Sequence, residues 1–167
     1  ASSFEALIDD LSQTEGGRAY DVLDTGSFSM LVKLAISRLK DRIKVLNTDD
    51  PSLQMELAEL IYSMKSEGIT KEDLRNVMED SLESSRRKLE DIALISETVD
   101  ELYTKRILDK FAFEDLVMEK TVKKGSLKGK KIILFGFDVI SKRRMDTICS
   151  LDSVTDDLTI LFMKDEE

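Results

Sequence analysis

The sequence predicts a mostly α protein, a helical bundle or coiled coil, carrying a small C-terminal antiparallel β-meander in an α+β arrangement. Three observations carry that expectation. Apolar residues recur at helical spacing through the first 120 positions, and residues 71–120 contain neither glycine nor proline. After Gly129 the pattern changes to runs of β-formers such as IILFGFDVI. The expected division is therefore a helical domain over 1–120 and a β-element over 121–167.

The elements follow in order. SSFEALIDDLSQ sets Phe4, Leu7, Ile8 and Leu11 on one stripe, with Ser2 or Ser3 as N-cap. TEGGRAYDVLDTGS reads as a glycine-bearing loop and hinge; it lacks the Lys and Ser/Thr of a P-loop. A second helix is expected from Phe28 to Leu46. Asp50 ahead of Pro51 marks the start of a third, because aspartate caps the free amides and proline tolerates the first turn. That helix carries Leu53, Leu57, Leu60, Ile61 and Met64 and stops at Gly68. Thr70 with Asp73 resembles a capping box and opens a fourth.

A straight helix over 71–120 would run about 75 Å at 1.5 Å per residue. Either it bends near EDSLESSRRK or it projects and pairs with a second chain. The spacing of Leu82, Ser85, Leu89, Ile92, Ser96, Val99 and Tyr103 reads as a coiled-coil seam, formed in a homodimer, which is the expectation, or in an intramolecular helical hairpin. Three C-terminal strands are expected: IILFGFDVI, MDTICSL and LTILFM.

Composition narrows the chemistry. The chain of 167 residues has no histidine and one cysteine, Cys149, so Cys/His zinc sites and His-based nucleophile pairs cannot be built from it. A lone cysteine and an N-terminus without a signal-like h-region fit an intracellular protein, cytoplasmic or nuclear, and no stretch reaches the roughly 20 apolar residues of a membrane span. Net charge is −10 over residues 1–118, +7 over 119–144 and −6 over 145–167, which sums to −9. The acidic body repels nucleic acid at long range, and the basic segment can still contact phosphate locally.

Four constellations bear on function. KKIILFGFD resembles the nucleophile strand of haloacid-dehalogenase phosphatases, but Gly136 stands where the first carboxylate belongs and Asp138 alone does not replace it; a buried strand is the expectation. Glu56 and Glu59, with Glu97 and Asp100, resemble the Mg²⁺-binding pairs of all-α nucleoside-triphosphate pyrophosphatases, since carboxylates at i and i+3 share a helix face. MELAELIYSMKSEGITKEDLRNVM, residues 55–78, resembles the helix-hook dimerisation segment of Sin-type antirepressors. That resemblance implies an intermolecular core of Leu57, Leu60, Ile61, Ile69, Leu74 and Met78.

The fourth is the basic segment itself. Lys120, Lys123, Lys124, Lys128, Lys130 and Lys131 precede the strand, and Lys142, Arg143 and Arg144 follow it. On a straight strand the two clusters stand about 30 Å apart, too far for one phosphate pocket. Phe135 and Phe137 share a face with Ile133 and Val139 and are expected in the core.

These readings combine into a non-enzymatic, self-associating interaction or regulatory protein that needs no cofactor and no metal. Its oligomer interface is expected at Leu82, Leu89, Ile92, Val99 and Tyr103 with Leu57, Ile61, Leu74 and Met78. Its contacts to an acidic protein partner, or to nucleic acid, are expected at Lys123, Lys124, Lys130, Lys131, Lys142, Arg143 and Arg144. The alternatives are an Mg²⁺-dependent pyrophosphatase acting through Glu56, Glu59, Glu97 and Asp100, and a nucleic-acid-binding accessory protein.

Overall fold

Ser3, Asp24, Asp50, Thr70 and Ser141 each accept a hydrogen bond from a backbone N–H in the first turn of the helix that follows. Each cap satisfies one of the amides a helix leaves unpaired at its start. The helices so opened are α1 (Phe4–Thr14), α2 (Thr25–Arg38), α3 (Pro51–Glu67), α4 (Lys71–Glu79) and α7 (Lys142–Asp152). Between them lie α5 (Glu83–Glu101) and α6 (Lys110–Lys124), a short 3₁₀ turn at Gly17–Ala19, and strands β1 (Asp21–Leu23), β2 (Ile107–Asp109), β3 (Lys131–Phe135) and β4 (Asp157–Leu161). The structure, a computed structural model, describes residues 3–137 and 139–162, apart from the Arg18 side chain. Asp138 of the phosphatase-like strand lies outside them. The protein is mostly α with small β-elements, as its periodicity predicts.

The chain forms two compact units that do not follow a cut at residue 120. One is Tyr20–Lys110, and the other joins residues 1–19 to residues 111–167. A linear reading places the boundary at the change of period. The contacts place it where the chain leaves and re-enters the second unit.

In Tyr20–Lys110 the core is Phe28, Val32, Ala35, Ile36 and Leu39 from α2 and its end, Leu57, Ala58 and Ile61 from α3, and Ile95 and Val99 from α5. Phe28 meets Tyr62 edge to face, with ring centroids 5.6 Å apart. β1 and β2 pair in parallel, Asp21 beside Ile107 and Leu23 beside Asp109. The helix expected to reach Leu46 stops at Arg38, the chain turns at Leu39, and the amides of Lys44, Val45 and Leu46 bond the Asp91 carboxylate in place of a helical ladder. Ile43 and Leu46 keep their apolar contacts with the core.

The stretch 71–120 is not one helix. It breaks first after Glu79, near the predicted bend, where Arg86 Nε reaches back to the Met78 carbonyl at 3.1 Å. A second break, which no glycine or proline announces, falls after Glu101, where Thr104 Oγ1 accepts the Ile107 amide at 2.9 Å and the chain enters β2. Gly68 ends α3 in the left-handed region at φ 73°, as its position predicts.

In the other unit Ile8, Leu11, Val117, Met118, Leu127 and Leu151 form the core. The expected antiparallel meander is replaced by a parallel pair: Lys131 sits beside Asp157 and Phe135 beside Leu161, with α7 as the crossover. MDTICSL is helical, since Ser141 caps it and Ile148 and Leu151, three apart, face the core. Period-two spacing in so short a run also fits a helix, and two parallel strands need a crossover between them.

Candidate functional site

The basic segment is mostly engaged with carboxylates of its own unit. Lys124 Nζ lies 2.7 Å from Glu15 Oε2, and the other Glu15 oxygen accepts from Ser126 Oγ at 2.5 Å. Lys120 Nζ approaches the Glu15 carbonyl at 3.4 Å. Glu15 is buried, and the bond from Lys124, then that from Ser126, hold its carboxyl below the ordinary range against the opposing effect of burial. Lys123 pairs with Glu119 one turn back on α6. Lys131 faces Asp157 at 3.7 Å across the parallel pair.

Lys142, Arg143 and Arg144 stand in the first turn of α7, not at the far end of an extended strand, so the straight-strand separation does not apply. Arg143 bonds Asp115 at 2.8 Å, faces Glu114 at 3.5 Å, donates to the Phe111 carbonyl and lies over the Phe111 ring at 5.1 Å. Arg144 bonds Glu5 at 3.1 Å and lies over Phe4 at 4.9 Å and Phe137 at 5.7 Å. These two guanidinium groups hold α7 to its neighbours. Lys128 and Lys130 differ: both are exposed, and their side chains meet no carboxylate among the described residues. Their loop is pinned to the start of β4, where Asp156 Oδ1 accepts the Gly129 amide at 3.0 Å and the Asp156 amide bonds the Lys130 carbonyl at 3.0 Å.

The expected core face of β3 is turned outward. Ile133 is 62% exposed, Phe135 64% and Val139 84%, whereas Leu134 is buried and Ile132 packs on the core. Only one face of the pair is covered within the described residues. Gly136 has φ 81° and turns the chain out of β3, with nothing among the described residues within 4 Å of its Cβ position.

The paired carboxylates do not converge. Glu56 and Glu59 are exposed on α3, Glu97 pairs with Lys71, and Asp100 Oδ1 bonds Lys65 Nζ at 2.6 Å. Among the described residues no group of three or more His, Cys, Asp or Glu side chains is placed to hold a metal ion.

The predicted oligomer interface points inward. Leu57, Ile61 and Val99 are in the core of the chain itself, Leu74 is buried, and Ile92 and Tyr103 pack against that core. Leu89 and Met78 are half-buried, and Leu82, 80% exposed, sits ahead of α5 as its N-cap. The seam spacing thus records the buried stripe of an intramolecular helix.

Two buried acidic groups escaped the sequence reading. Asp91 takes the amides of Lys44, Val45 and Leu46. Its signal is legible afterwards: it lies four before Ile95 and eight before Val99, on the apolar stripe of α5. Asp109 accepts from the Tyr103 hydroxyl and lies 3.3 Å from Lys65 Nζ, which also sits 5.2 Å over the Tyr103 ring. Burial first, then the Asp109 carboxylate, pushes the Tyr103 hydroxyl far up. No local pattern marks Asp109, because its partners come from α3 and from the turn before β2.

Comparison with known proteins adds what the geometry lacks. A family model described as "ADDB, N-terminal" matches residues 1–167. The B subunit of an ATP-dependent helicase/deoxyribonuclease from Listeria welshimeri is 28% identical over 160 residues, covering 95% of this chain and 14% of the relative. The protein of that name in Listeria monocytogenes serotype 4a is 29% identical over 164 residues with the same coverage, so the chain spans about one seventh of the curated relatives it matches. These matches overturn the Sin-type resemblance and, separately, the expectation of a non-enzymatic regulatory coiled-coil protein: the relatives are named as subunits of an enzyme. No helix among the described residues is long and apolar enough to cross a membrane.

Proposed function

We infer the role of this chain from one premise: it belongs to the ADDB N-terminal family, whose model matches it from end to end. We propose that it works as the N-terminal region of the B subunit of an ATP-dependent helicase/deoxyribonuclease, in contact with DNA and with a companion subunit, inside the cell. The end-to-end match carries this reading. Lys128 and Lys130 support a DNA contact, because they are exposed cations that no carboxylate of the described residues offsets. Lys123 and Lys131 are each paired with a carboxylate, and Arg143 and Arg144 serve packing. Phosphate contacts of this kind position a duplex without reading its sequence.

The test is binding of the full-length subunit to duplex DNA with a single-stranded end, followed by fluorescence anisotropy across a salt series. Affinity falls steeply with salt, and the double variant Lys128→Glu/Lys130→Glu weakens binding and flattens log K against log salt by roughly one unit per lysine lost. Unaltered DNA affinity and salt slope in the double variant remove the lysine contact. Absence of DNA binding and of ATP-dependent strand separation by the full subunit with its companion sinks the whole reading.

A further inference from the structure

The loop that carries Lys128 and Lys130 is built by turn chemistry on a buried anchor, Leu127, which packs in the core of its unit. The Lys128 amide bonds the Gly125 carbonyl at 3.0 Å, and the Lys130 amide bonds the Leu127 carbonyl at 3.0 Å. The second bond closes a four-residue turn over 127–130, with Gly129 as its third residue at φ 80°. Among the described residues only glycines have positive φ, so Lys128 keeps a negative one and the turn is of type II.

Types I and II differ mainly in the two dihedrals beside the central peptide, so rotation of the Lys128–Gly129 peptide converts one turn into the other. Glycine adopts either sign of φ readily, and Gly129 by itself does not choose between them. Asp156 makes the choice. Its Oδ1 accepts the Gly129 N–H, the amide of that central peptide, at 3.0 Å, and its own N–H bonds the Lys130 carbonyl at 3.0 Å. This carboxylate comes from 27 positions later in the chain, directly before β4, whose first residue pairs with Lys131 in the strand register. The turn is thereby tied to the ends of two paired strands. With the amides of Lys128, Gly129 and Lys130 all engaged, a phosphate approaching the turn meets lysine side chains and not a nest of backbone donors.

We propose that Asp156 is a positioning residue for contact with the phosphodiester backbone of DNA. By fixing the Lys128–Gly129 peptide it holds Lys128 and Lys130, on either side of Gly129, in one preset arrangement. Both ammonium groups then engage phosphates without first ordering the turn, and an ordered loop gives up less conformational entropy on binding. This rests on the reading of Lys128 and Lys130 as a DNA contact. It gives an acidic residue a favourable effect on the binding of an anion, opposite to the effect of its charge alone.

Asp156→Asn and Asp156→Ala in the full-length subunit separate the two effects, with duplex DNA carrying a single-stranded end as the probe and fluorescence anisotropy across a salt series as the readout. Both variants remove the negative charge, and only asparagine keeps an oxygen for the Gly129 N–H. Asp156→Asn is expected to bind at least as tightly as wild type. Asp156→Ala is expected to bind about threefold to tenfold more weakly than Asp156→Asn, with log K against log salt flattened by up to about one unit, the share of one phosphate contact. Gly129→Ala reaches the turn without touching Asp156: among the described residues nothing lies within 4 Å of the added Cβ, so only the strain of φ 80° acts, and a loss like that of Asp156→Ala is expected. In the Lys128→Glu/Lys130→Glu background the two Asp156 variants are expected to bind alike, because the effect runs through the lysines. Equal affinity and salt slope of Asp156→Asn and Asp156→Ala overturn the proposal, as does a gap between them that persists in the lysine-substituted background. Wild-type affinity in Gly129→Ala also overturns it, and that variant decides alone if Asp156→Ala does not fold. Should Lys128→Glu/Lys130→Glu leave affinity and slope unaltered, the lysine contact fails and the positioning role with it; a lysine effect that stands while the Asp156 variants coincide refutes the positioning role alone.

Discussion

The carboxylate of Asp91 accepts the backbone N–H of Lys44, 47 positions earlier, at 3.1 and 3.2 Å, and takes the next two amides at 2.8 and 3.1 Å. One buried side chain thereby fixes the path of residues 44–46. Removing it strands three amides at a packed site. Asp91→Ala is expected to cost roughly 3 kcal/mol or more in urea unfolding, since bonds to a charged group are worth about 1.5–3 kcal/mol each and buried orphans add a desolvation cost. Asp91→Asn keeps one acceptor oxygen and costs less. A loss below about 0.5 kcal/mol for the alanine variant would contradict the assigned role.

Lys65 lies 3.3 Å from buried Asp109 and bonds Asp100 as its second partner. Lys65→Met takes a counter-charge away from a buried carboxylate and is expected to lower stability by about 3 kcal/mol. The double variant Lys65→Met/Asp109→Leu removes the stranded charge and is expected to recover part of that loss. Equal stability of the single and double variants would show that Asp109 does not depend on Lys65.

Glu15 gives the fold a pH dependence of defined sign. Its folded-state pKa lies below its ordinary value of 4.5, so its contribution is fully present above that value and is lost as pH falls through the lowered one. Acid titration of stability is expected to show a component in that window that is absent from Glu15→Gln. Lys124→Met removes the largest cause of the shift and is expected to flatten the same component. Superimposable acid limbs for all three proteins would rule out this assignment.

Leu82 and Ile61 separate a seam between chains from a core within one. Ile61 is fully buried and Leu82 stands in solvent. Ile61→Ala is expected to cost about 2–5 kcal/mol, the range for buried aliphatic truncations, and Leu82→Ala to stay within about 0.5 kcal/mol. Light scattering is expected to give the same mass for wild type and Leu82→Glu. A mass change in that variant would restore an intermolecular role for the stripe.

Local chemistry accounts for the parts legible in the residues. The caps at Ser3, Asp50 and Thr70, the stop at Gly68 and the apolar stripe of α3 were readable because each rests on groups within four residues of one another. The candidate site was less legible. Lys128 and Lys130 stand out from the other basic residues only after Glu15, Glu114, Asp115 and Glu5 have taken their neighbours, and Glu15 and Glu5 come from the opposite end of the chain.

What the sequence by itself determined is the helical class, the starts of α1, α3 and α4 and the charge imbalance, since these follow from spacing and composition. Only the tertiary structure decided that 71–120 breaks into three helices, that the last strands run parallel around α7, and that the stripe from Ile92 to Tyr103 faces its own core. The physical reason is common to all three. A period of three and four marks a face without saying what covers it, and the partners that hold residues 44–46, pair β1 with β2 and bind Lys124, Arg143 and Arg144 lie tens of positions away, where no local pattern records them.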